Sequence, residues 1–184
     1  MSAAEPHVLV VAATERELAP VDGARTLACG IGPVEAAVAT ARALAEERPT
    51  AILHVVIAGA RGLEPLTLVL GSEAVYCDAA GPLVPARALP VPQLLARLRD
   101  SFPDAEVRPI GRSARVGGSQ GVDVEAMEGF AVLRACELAG VPAVEVRVVS
   151  NAIDEPDRRR WRFDDAFARL AEQLPRLAAV ASGA

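Results

Sequence analysis

The stretch VEVRVVSNAIDE, residues 144–155, combines a strand pattern with polar residues at its end. β-Branched residues dominate its first half, and it follows a Gly-Val-Pro turn, which predicts a buried strand. The same strand carries Glu145 and Arg147 and ends at Ser150 and Asn151. Because buried charges are costly unless they are paired, these residues raise the question of whether the strand also forms the floor of a site.

The composition favours helices packed on a sheet. The chain has 184 residues, of which 52% are apolar and only 3% aromatic, so we expect one domain over residues 1–184 with an aliphatic core. Its net charge is −5 and its only basic run is Arg158 to Arg160, which argues against binding to nucleic acid. The apolar run from Val8 to Ala13 is too short for a signal or a membrane span, so no membrane association is expected.

Cysteine, histidine and lysine usage restricts the possible chemistry. Cys29, Cys77 and Cys136 are widely spaced and form no CxxC, which predicts reduced core residues and a cytoplasmic protein. His7 and His54 each lie in an apolar run, so we expect structural histidines and neither a metal nor another cofactor. All 19 basic residues are arginine, which excludes Schiff-base lysines and the phosphate-loop lysine.

Strand and helix patterns alternate along the chain. Strands are predicted over residues 7–13, 51–58, 66–76 and 142–150, with one or two more over 106–116. Helices are predicted over residues 33–48, 92–102, 122–139 and 164–174, the last broken or kinked by Pro175. This alternation predicts a three-layer α/β/α fold, in which helices cover both faces of a twisted, mixed but largely parallel sheet.

Polar residues follow several of the predicted strands. Glu15 and Glu17 come after the first strand, residues 59–62 after the second, and Ser150 and Asn151 after the late strand. Ligands of open α/β sheets bind beyond the carboxyl ends of the strands, so these groups form a candidate site. A solvated turn is the simpler interpretation of the two glutamates.

The helix predicted over residues 122–139 places a carboxylate beside its apolar stripe. Glu128 borders that stripe near the amino end of the helix, where the helix dipole favours a negative charge. The predicted stripe consists of Val124, Met127, Ala131, Ala135 and Leu138. Glu145 and Arg147 lie on one side of their own strand, so pairing with groups at a sheet edge is the simpler interpretation of these two charges.

Five segments resemble the purine nucleoside phosphorylase and nucleosidase superfamily, and they occur in the same order. They are VVAATEREL, GIGPVEAAVAT, VVIAGARGLEP, VEAMEGFAVLRAC and GVPAVEVRVVSNAIDE. The resemblance extends from the first strand to the last helix, and the MEG and RxxSN segments are its most specific parts. Asp157, Arg158, Trp161 and Phe163 resemble an Asp-Arg-x-x-Trp-x-Phe/Ile pattern of the futalosine hydrolases within that superfamily.

The resemblance implies hydrolysis of the N-glycosidic bond of futalosine, which releases hypoxanthine and dehypoxanthinylfutalosine on a route to menaquinone. Glu17 is implied to position and activate water, and Arg147 to contact the nucleophile. Glu128 is implied to accept hydrogen bonds from the ribose hydroxyls, with Met127 packed on the sugar. Asn151 is implied to read the base, because its amide group donates to a 6-oxo group and accepts from a protonated N7.

The remaining contacts implied by the resemblance are less specific. Gly59 and Ser150 are implied to line the substrate site, and Phe130, Phe163 or Val116 to cover the purine. Related enzymes form homo-oligomers, so the expected partners are a purine nucleoside and further copies of this chain.

Other functions stay open at this point. A methylthioadenosine/S-adenosylhomocysteine nucleosidase is the main alternative, although Asn151 and the Asp-Arg-x-x-Trp pattern argue against it. A nucleoside-binding homologue with weak or no turnover would keep Glu128 and Asn151. Arg147 also leaves phosphorolysis open. Arg61 is predicted to lie either near the acidic aromatic tail of futalosine or at the surface. A dinucleotide-binding oxidoreductase fits poorly, since the GIG loop lacks the full glycine pattern.

Overall fold

The computed structural model of the protein describes residues 7–18, 24–79, 81–119 and 121–183. The strands are β1 (Val8–Ala12), β2 (Ala24–Ala28), β3 (Ala51–Ala60), β4 (Leu68–Tyr76), β5 (Arg87–Ala88), β6 (Glu106–Arg112), β7 (Val124–Ala126) and β8 (Ala143–Ala152). The helices are α1 (Pro33–Glu46), α2 (Pro92–Ser101), α3 (Gly129–Ala139) and α4 (Phe163–Ser182), and short 3₁₀ helices cover Glu15–Glu17 and Arg158–Arg160.

These strands form one mixed sheet, most of whose pairs are parallel. β1 is parallel to β2 and β3, β3 is parallel to β8, and β6 is parallel to β4 and β7. The pairs β3 with β7, β4 with β5 and β4 with β8 are antiparallel. The predicted mixed, largely parallel sheet is therefore confirmed. Strands β3, β8, β4, β6 and β7 also close into a ring, which the sequence patterns did not predict.

Helices cover both faces of the sheet, which confirms the predicted three layers. Alternate residues of β1 contact opposite layers: Val10 packs in the cluster that contains Leu170 of α4, and Val11 packs in the cluster that contains Leu133 of α3. The helix α2 shares the α4 face and α1 shares the α3 face. Complete burial of one such leucine stabilises the fold by about 2 kcal/mol.

The start of α3 differs from the prediction. Residues 124–126 form β7, which pairs with β6 and β3, and the helix begins only at Gly129. Val124 and Ala126 are buried in the cluster enclosed by the strand ring. Residues 124–126 have helical spacing, but strand pairing on both edges of β7 and the burial of Val124 and Ala126 outweigh it. Local helix propensity is weak compared with tertiary packing. Glu128 is consequently the residue that precedes the helix.

The last helix continues through Pro175 to Ser182, so its predicted end at Leu174 is wrong. Leu174 and Leu177 are fully buried on one face of α4, and their packing holds the two halves together. Pro175 and Ala171 are exposed, which leaves the carbonyl that loses its helical partner accessible to water. Strands β2 and β5 were not predicted, and the segment predicted to hold one or two strands over residues 106–116 contains one, β6, which runs through Gly111.

Ala131 of the predicted α3 stripe packs against the sheet, but the end of that stripe and the larger apolar side chains of α1 face outward. On α1, Ala36 and Thr40 are buried, whereas Val34 and Val38 are 66% and 65% exposed. On α3, the end of the predicted stripe, Leu138, is 73% exposed. Small residues let α1 lie close to its neighbours, and the larger apolar side chains remain on the outside.

Two of the three cysteines and His54 lie in the core, as predicted. Cys29 and Cys136 are buried, Cys77 is half-buried, and all three are free. His54 is fully buried with Nδ1 3.0 Å from the carbonyl oxygen of Val11. Burial lowers the pKa of His54, so its ring is neutral. Within the described part of the chain, no helix is long and apolar enough to cross a membrane.

Candidate active site

A cleft of about 330 Å³ lies where β1, β3 and β8 end. These three strands are parallel, so their carboxyl ends meet at one edge, as the strand order predicts. Six of the eight predicted site residues line the cleft: Glu17, Gly59, Met127, Glu128, Ser150 and Asn151. Arg147 and Phe130 lie elsewhere.

Glu17 is held at the cleft by the turn after β1. It is only 6% exposed, and its Oε2 accepts hydrogen bonds from the backbone N of Thr14 at 2.9 Å and from the Thr14 hydroxyl at 3.0 Å. Its Oε1 accepts a longer bond of 3.4 Å from the backbone N of Ile57 in β3. Burial raises the pKa of Glu17 above its ordinary value, and these hydrogen bonds and Arg147 only partly oppose the rise. The solvated-turn interpretation is wrong for this glutamate.

Glu128 joins α3 to the glycine loop before α1. It is 3% exposed, and its Oε1 accepts a hydrogen bond of 2.8 Å from the backbone N of Gly32. Gly32 has a φ of 92°, a conformation that favours glycine. This bond places the carboxylate at the amino end of α1, where the helix dipole favours negative charge.

Asn151 is positioned by an irregularity at the end of β8. Opposite it on β3, the pairing shifts between Ala58 and Gly59, so that Ser150 is an extra residue on β8. The Ser150 hydroxyl lies 2.7 Å from Asn151 Oδ1, and Asn151 Nδ2 donates to the carbonyl of Ala152 at 2.9 Å. A Cβ on Gly59 would lie only 3.0 Å from Asn151 Nδ2, so a glycine is needed for this close approach.

Arg147 does not reach the cleft, which corrects its predicted contact with the nucleophile. Its side chain and that of Glu145 are completely buried and form an ion pair with each other. Strand β8 is paired on both edges, so the prediction that these charges meet groups at a sheet edge is also wrong. The Glu145 carboxylate fills the space where a Cβ on Gly129 would lie, directly under the start of α3. Burial raises the pKa of Glu145, and the charge of Arg147 opposes the rise.

Phe130 also lies outside the cleft, because it is on the sheet-facing side of α3. Its ring packs on Tyr76, with the ring centroids 5.0 Å apart, so it is not placed to cover a base in this cleft. Val116 and Phe163, the alternatives to Phe130, both line the cleft. Arg61 pairs with Asp154 at 3.4 Å and is not among the lining residues.

Several lining residues were not predicted. Glu125 of β7 is 7% exposed, and it accepts hydrogen bonds from the backbone N atoms of Gly117 at 2.5 Å and Ser119 at 2.9 Å, which ties the loop between β6 and β7 to the cleft. Phe167 lies four residues after Phe163, and this helical spacing was the available signal. Trp161 donates from Nε1 to the carbonyl of Glu155 at 3.0 Å, as a structural anchor would, and it also lines the cleft.

No group of three or more His, Cys, Asp and Glu side chains suited to a metal ion occurs in the described ranges. The cleft instead combines carboxylates, an amide and apolar side chains. Such an arrangement binds and orients an uncharged polar ligand through hydrogen bonds.

Residues 112–182 match the family model of the phosphorylase superfamily. This segment is less than half of the chain. The segment contains Glu128, Asn151 and the aromatic residues of the cleft, whereas Glu17 and Gly59 precede it.

Curated relatives agree with this family. The chain is 45% identical over 60 residues to the futalosine hydrolase of Streptomyces coelicolor, which covers 33% of this chain and 26% of that protein. It is 33% identical over 99 residues to the futalosine hydrolase of Thermus thermophilus, which covers 54% of this chain and 42% of that protein. The matched segments thus span less than half the length of these two relatives.

Solved structures show the same fold over nearly the whole chain. The futalosine hydrolase of Helicobacter pylori superimposes with a TM-score of 0.83 at 15% identity and covers 94% of this chain and 97% of its own. A methylthioadenosine/S-adenosylhomocysteine nucleosidase from Colwellia psychrerythraea, solved with adenine, gives a TM-score of 0.80 at 19% identity and covers 97% and 95%. The chain therefore has the nucleoside phosphorylase-like fold.

Proposed function

We propose that this protein hydrolyses the N-glycosidic bond of a purine nucleoside, with futalosine as the substrate and hypoxanthine as the leaving base. The observation that carries the proposal is the meeting of Glu17, Glu128 and Asn151 in one cleft, although they lie far apart in the sequence. The similarity to two curated futalosine hydrolases supports this substrate over other purine nucleosides.

In this proposal, Glu17 accepts a proton from the attacking water. Its raised pKa makes it a better proton acceptor than an exposed glutamate, and its hydrogen bonds to Thr14 and Ile57 fix its orientation. Glu128 accepts hydrogen bonds from the ribose hydroxyls, and its negative charge stabilises the cationic sugar that forms as the bond breaks. Met127 packs against the sugar.

Asn151 selects the base. Its amide nitrogen has a second hydrogen available to donate to a 6-oxo group, beyond the one that it donates to the carbonyl of Ala152. Ser150 and Gly59 keep the amide in place, through the hydroxyl contact and the absence of a Cβ. A buried site that is complementary to one hydrogen-bond pattern strongly rejects the opposite one, so adenine is disfavoured.

Water is the nucleophile in this proposal. Three carboxylates line the cleft, those of Glu17, Glu125 and Glu128, and its lining contains one arginine, Arg158. This balance of charge repels phosphate more strongly than water. Arg147 does not contact the ligand in this proposal. Its ion pair with Glu145 supports the start of α3, next to Glu128.

A substrate panel tests the proposal. Purified protein is incubated with futalosine, inosine, methylthioadenosine or S-adenosylhomocysteine, with and without phosphate, and the released base is measured by chromatography. We expect hypoxanthine from futalosine at a rate that phosphate does not change. Release of adenine instead would favour the alternative nucleosidase, and tight binding without release would indicate a nucleoside-binding homologue.

We also propose that residues 1–184 form a single domain. We further propose that two copies of this chain associate through one apolar face. This face, the α1–α3 face, consists of Ile31, Val34, Val38 and Leu138, each more than 60% exposed. A patch of this kind on a helix pair is typical of an interface. Beside this face, Arg112 is buried over the ring of Tyr76.

The free cysteines fit the proposed cytoplasmic location, because reducing compartments keep thiols unpaired. In that compartment, the proposed reaction supplies dehypoxanthinylfutalosine to the route to menaquinone.

A further inference from the structure

The β6–β7 loop, residues 113–119, is held at its start by Asp78. This residue follows β4, which is the parallel neighbour of β6, so it lies beside the point where β6 ends. Its carboxylate accepts a hydrogen bond of 2.7 Å from the backbone N of Ala114 and one of 3.0 Å from the Ser113 hydroxyl. The bond from Ala114 is the main reason why the pKa of Asp78 lies below its ordinary value, so this attachment is ionised.

Glu125 holds the other end of the loop. One of its carboxylate oxygens accepts a hydrogen bond from the backbone N of Gly117 at 2.5 Å, and the other accepts one from the backbone N of Ser119 at 2.9 Å. Glu125 belongs to β7, which is paired with strands on both edges. The second attachment is therefore a pair of charge-assisted hydrogen bonds to a firmly supported strand.

Close packing of glycines keeps the loop against the end of β6. The Ser113 hydroxyl fills the space where a Cβ on Gly118 would lie, and a Cβ on Gly111 would lie only 2.7 Å from Ser119 Cβ. Gly117 has a φ of 75°, a conformation that favours glycine. The sequence of this loop thus matches one folded-back conformation.

Val116 lies between the two attachments and lines the cleft. Its side chain is 47% exposed, so it presents apolar surface, whereas both oxygens of Glu125 are already bonded to the loop. The groups proposed to bind the ribose and the edge of the base are carboxylates and an amide. A flat base also needs apolar contact on its face, and Val116 is placed to provide it.

We infer that Glu125 and Asp78 are positioning residues, which hold Val116 against the flat face of the bound purine. Neither carboxylate touches the ligand, since both act through the backbone of the β6–β7 loop. Because the loop is fixed at both ends before the ligand arrives, binding does not incur the entropic cost of ordering it. This inference rests on the proposed function, because a purine nucleoside has to occupy the cleft.

Binding of 9-deazainosine tests the role of Glu125 without turnover, because the glycosidic carbon–carbon bond of this compound cannot be hydrolysed. Binding is followed by the fluorescence of Trp161, the only tryptophan in the chain, which lines the cleft. Glu125→Gln is expected to weaken binding about tenfold, since an amide accepts from one N–H of the loop and turns a donor toward the other. Asp123→Asn removes the same charge from an exposed neighbour and is expected to leave the affinity unchanged.

A double-mutant cycle shows whether Glu125 acts through Val116. Val116→Ala is expected to weaken binding about threefold in the unmodified protein, through lost apolar contact. In the Glu125→Gln background it should change binding by less than about 1.5-fold, because the displaced side chain has no contact left to lose. Equal effects of Val116→Ala in the two backgrounds would overturn the inference, as would unchanged affinity in Glu125→Gln.

The same cycle with Asp78→Asn is independent of the core. Asp78 is exposed, so this variant folds even where Glu125→Gln does not, and thermal unfolding checks both. We expect Asp78→Asn to weaken binding about threefold and to reduce the effect of Val116→Ala in the same way. Additive losses would show that Asp78 does not act through the loop.

Hydrolysis of inosine separates this inference from the proposed reaction. In Glu125→Gln, KM should rise about tenfold while kcat stays within about twofold, because the loop touches the base and not the reacting atoms. Base release with an uncoupled Val116 would refute the positioning role alone. Coupled effects on 9-deazainosine binding, in a protein that releases no base from any nucleoside, would refute the hydrolysis and leave the positioning role standing. Failure of the unmodified protein to bind 9-deazainosine would overturn the positioning role.

Discussion

At the scale of single residues, Asn151 determines the proposed base preference. In Asn151→Asp, a carboxylate replaces the amide and no longer donates to a 6-oxo group unless it is protonated. We expect kcat/KM for inosine to fall about 100-fold relative to that for adenosine, since the loss leaves an unpaired buried acceptor. Initial rates with both nucleosides measure the ratio. An unchanged ratio would refute the assigned role.

Glu17 gives the reaction its expected pH dependence. Burial raises its pKa above the ordinary value for a glutamate, so the carboxylate takes up its proton at a higher pH than an exposed glutamate does. We expect kcat/KM to fall as the pH drops through this raised pKa, and Glu17→Gln to lower kcat about 100-fold. The exposed neighbour Glu15→Gln serves as the control. An acid limb that persists unchanged in Glu17→Gln would show that another group titrates.

The raised pKa of Glu17 also makes the stability of the fold depend on pH, in the opposite direction to activity. Because the folded-state pKa of Glu17 lies above its unfolded value, the folded state binds more protons between the two. The stabilisation from this group is present below pH 4.5 and is lost as the pH rises through the raised pKa. The charged form that the proposed reaction needs is thus the form that costs stability.

At the scale of elements, β8 depends on the buried pair of Glu145 and Arg147. Removing one partner leaves an uncompensated buried charge, so we expect Arg147→Met to lower the free energy of unfolding by about 4 kcal/mol. The double variant Glu145→Leu/Arg147→Met should recover much of this loss. Urea titration measures both. The exposed pair of Arg169 and Glu172 is the control, and Arg169→Met should change stability by less than about 1 kcal/mol. Additive losses in the double variant would contradict the pairing.

At the scale of the whole molecule, the α1–α3 face predicts self-association. Val38 is 65% exposed on this face, whereas Leu83 is 94% exposed outside it. We expect Val38→Glu to dissociate the dimer and Leu83→Glu to leave it intact, because only the first places a charge in the proposed interface. Sedimentation velocity distinguishes the two results. A monomer in the unmodified protein would rule out the interface.

Much of the fold and part of the site were predictable from local sequence. Continuous apolar runs predict buried strands such as β3 and β8, because a strand covered on both faces needs apolar residues at every position. The helical spacing of α1 and α4 predicts their positions, although the apolar stripe of α1 faces outward. The short strands β2, β5 and β7 carry no such signal, because pairing with neighbours rather than their own pattern makes them strands.

The sequence by itself determined which residue types the site contains and which strand ends carry them, since these follow from local spacing and parallel order. Which of these polar groups a ligand can reach depends on long-range packing. Glu145 and Arg147 neutralise each other in the core, and Phe130 faces the sheet rather than the cleft. Arg159 and Arg160 pair with Asp157 and Glu155, whereas Arg158 lies on the cleft wall. The reason is physical: pairing, burial and facing direction depend on contacts between segments far apart in the chain, which local patterns do not contain.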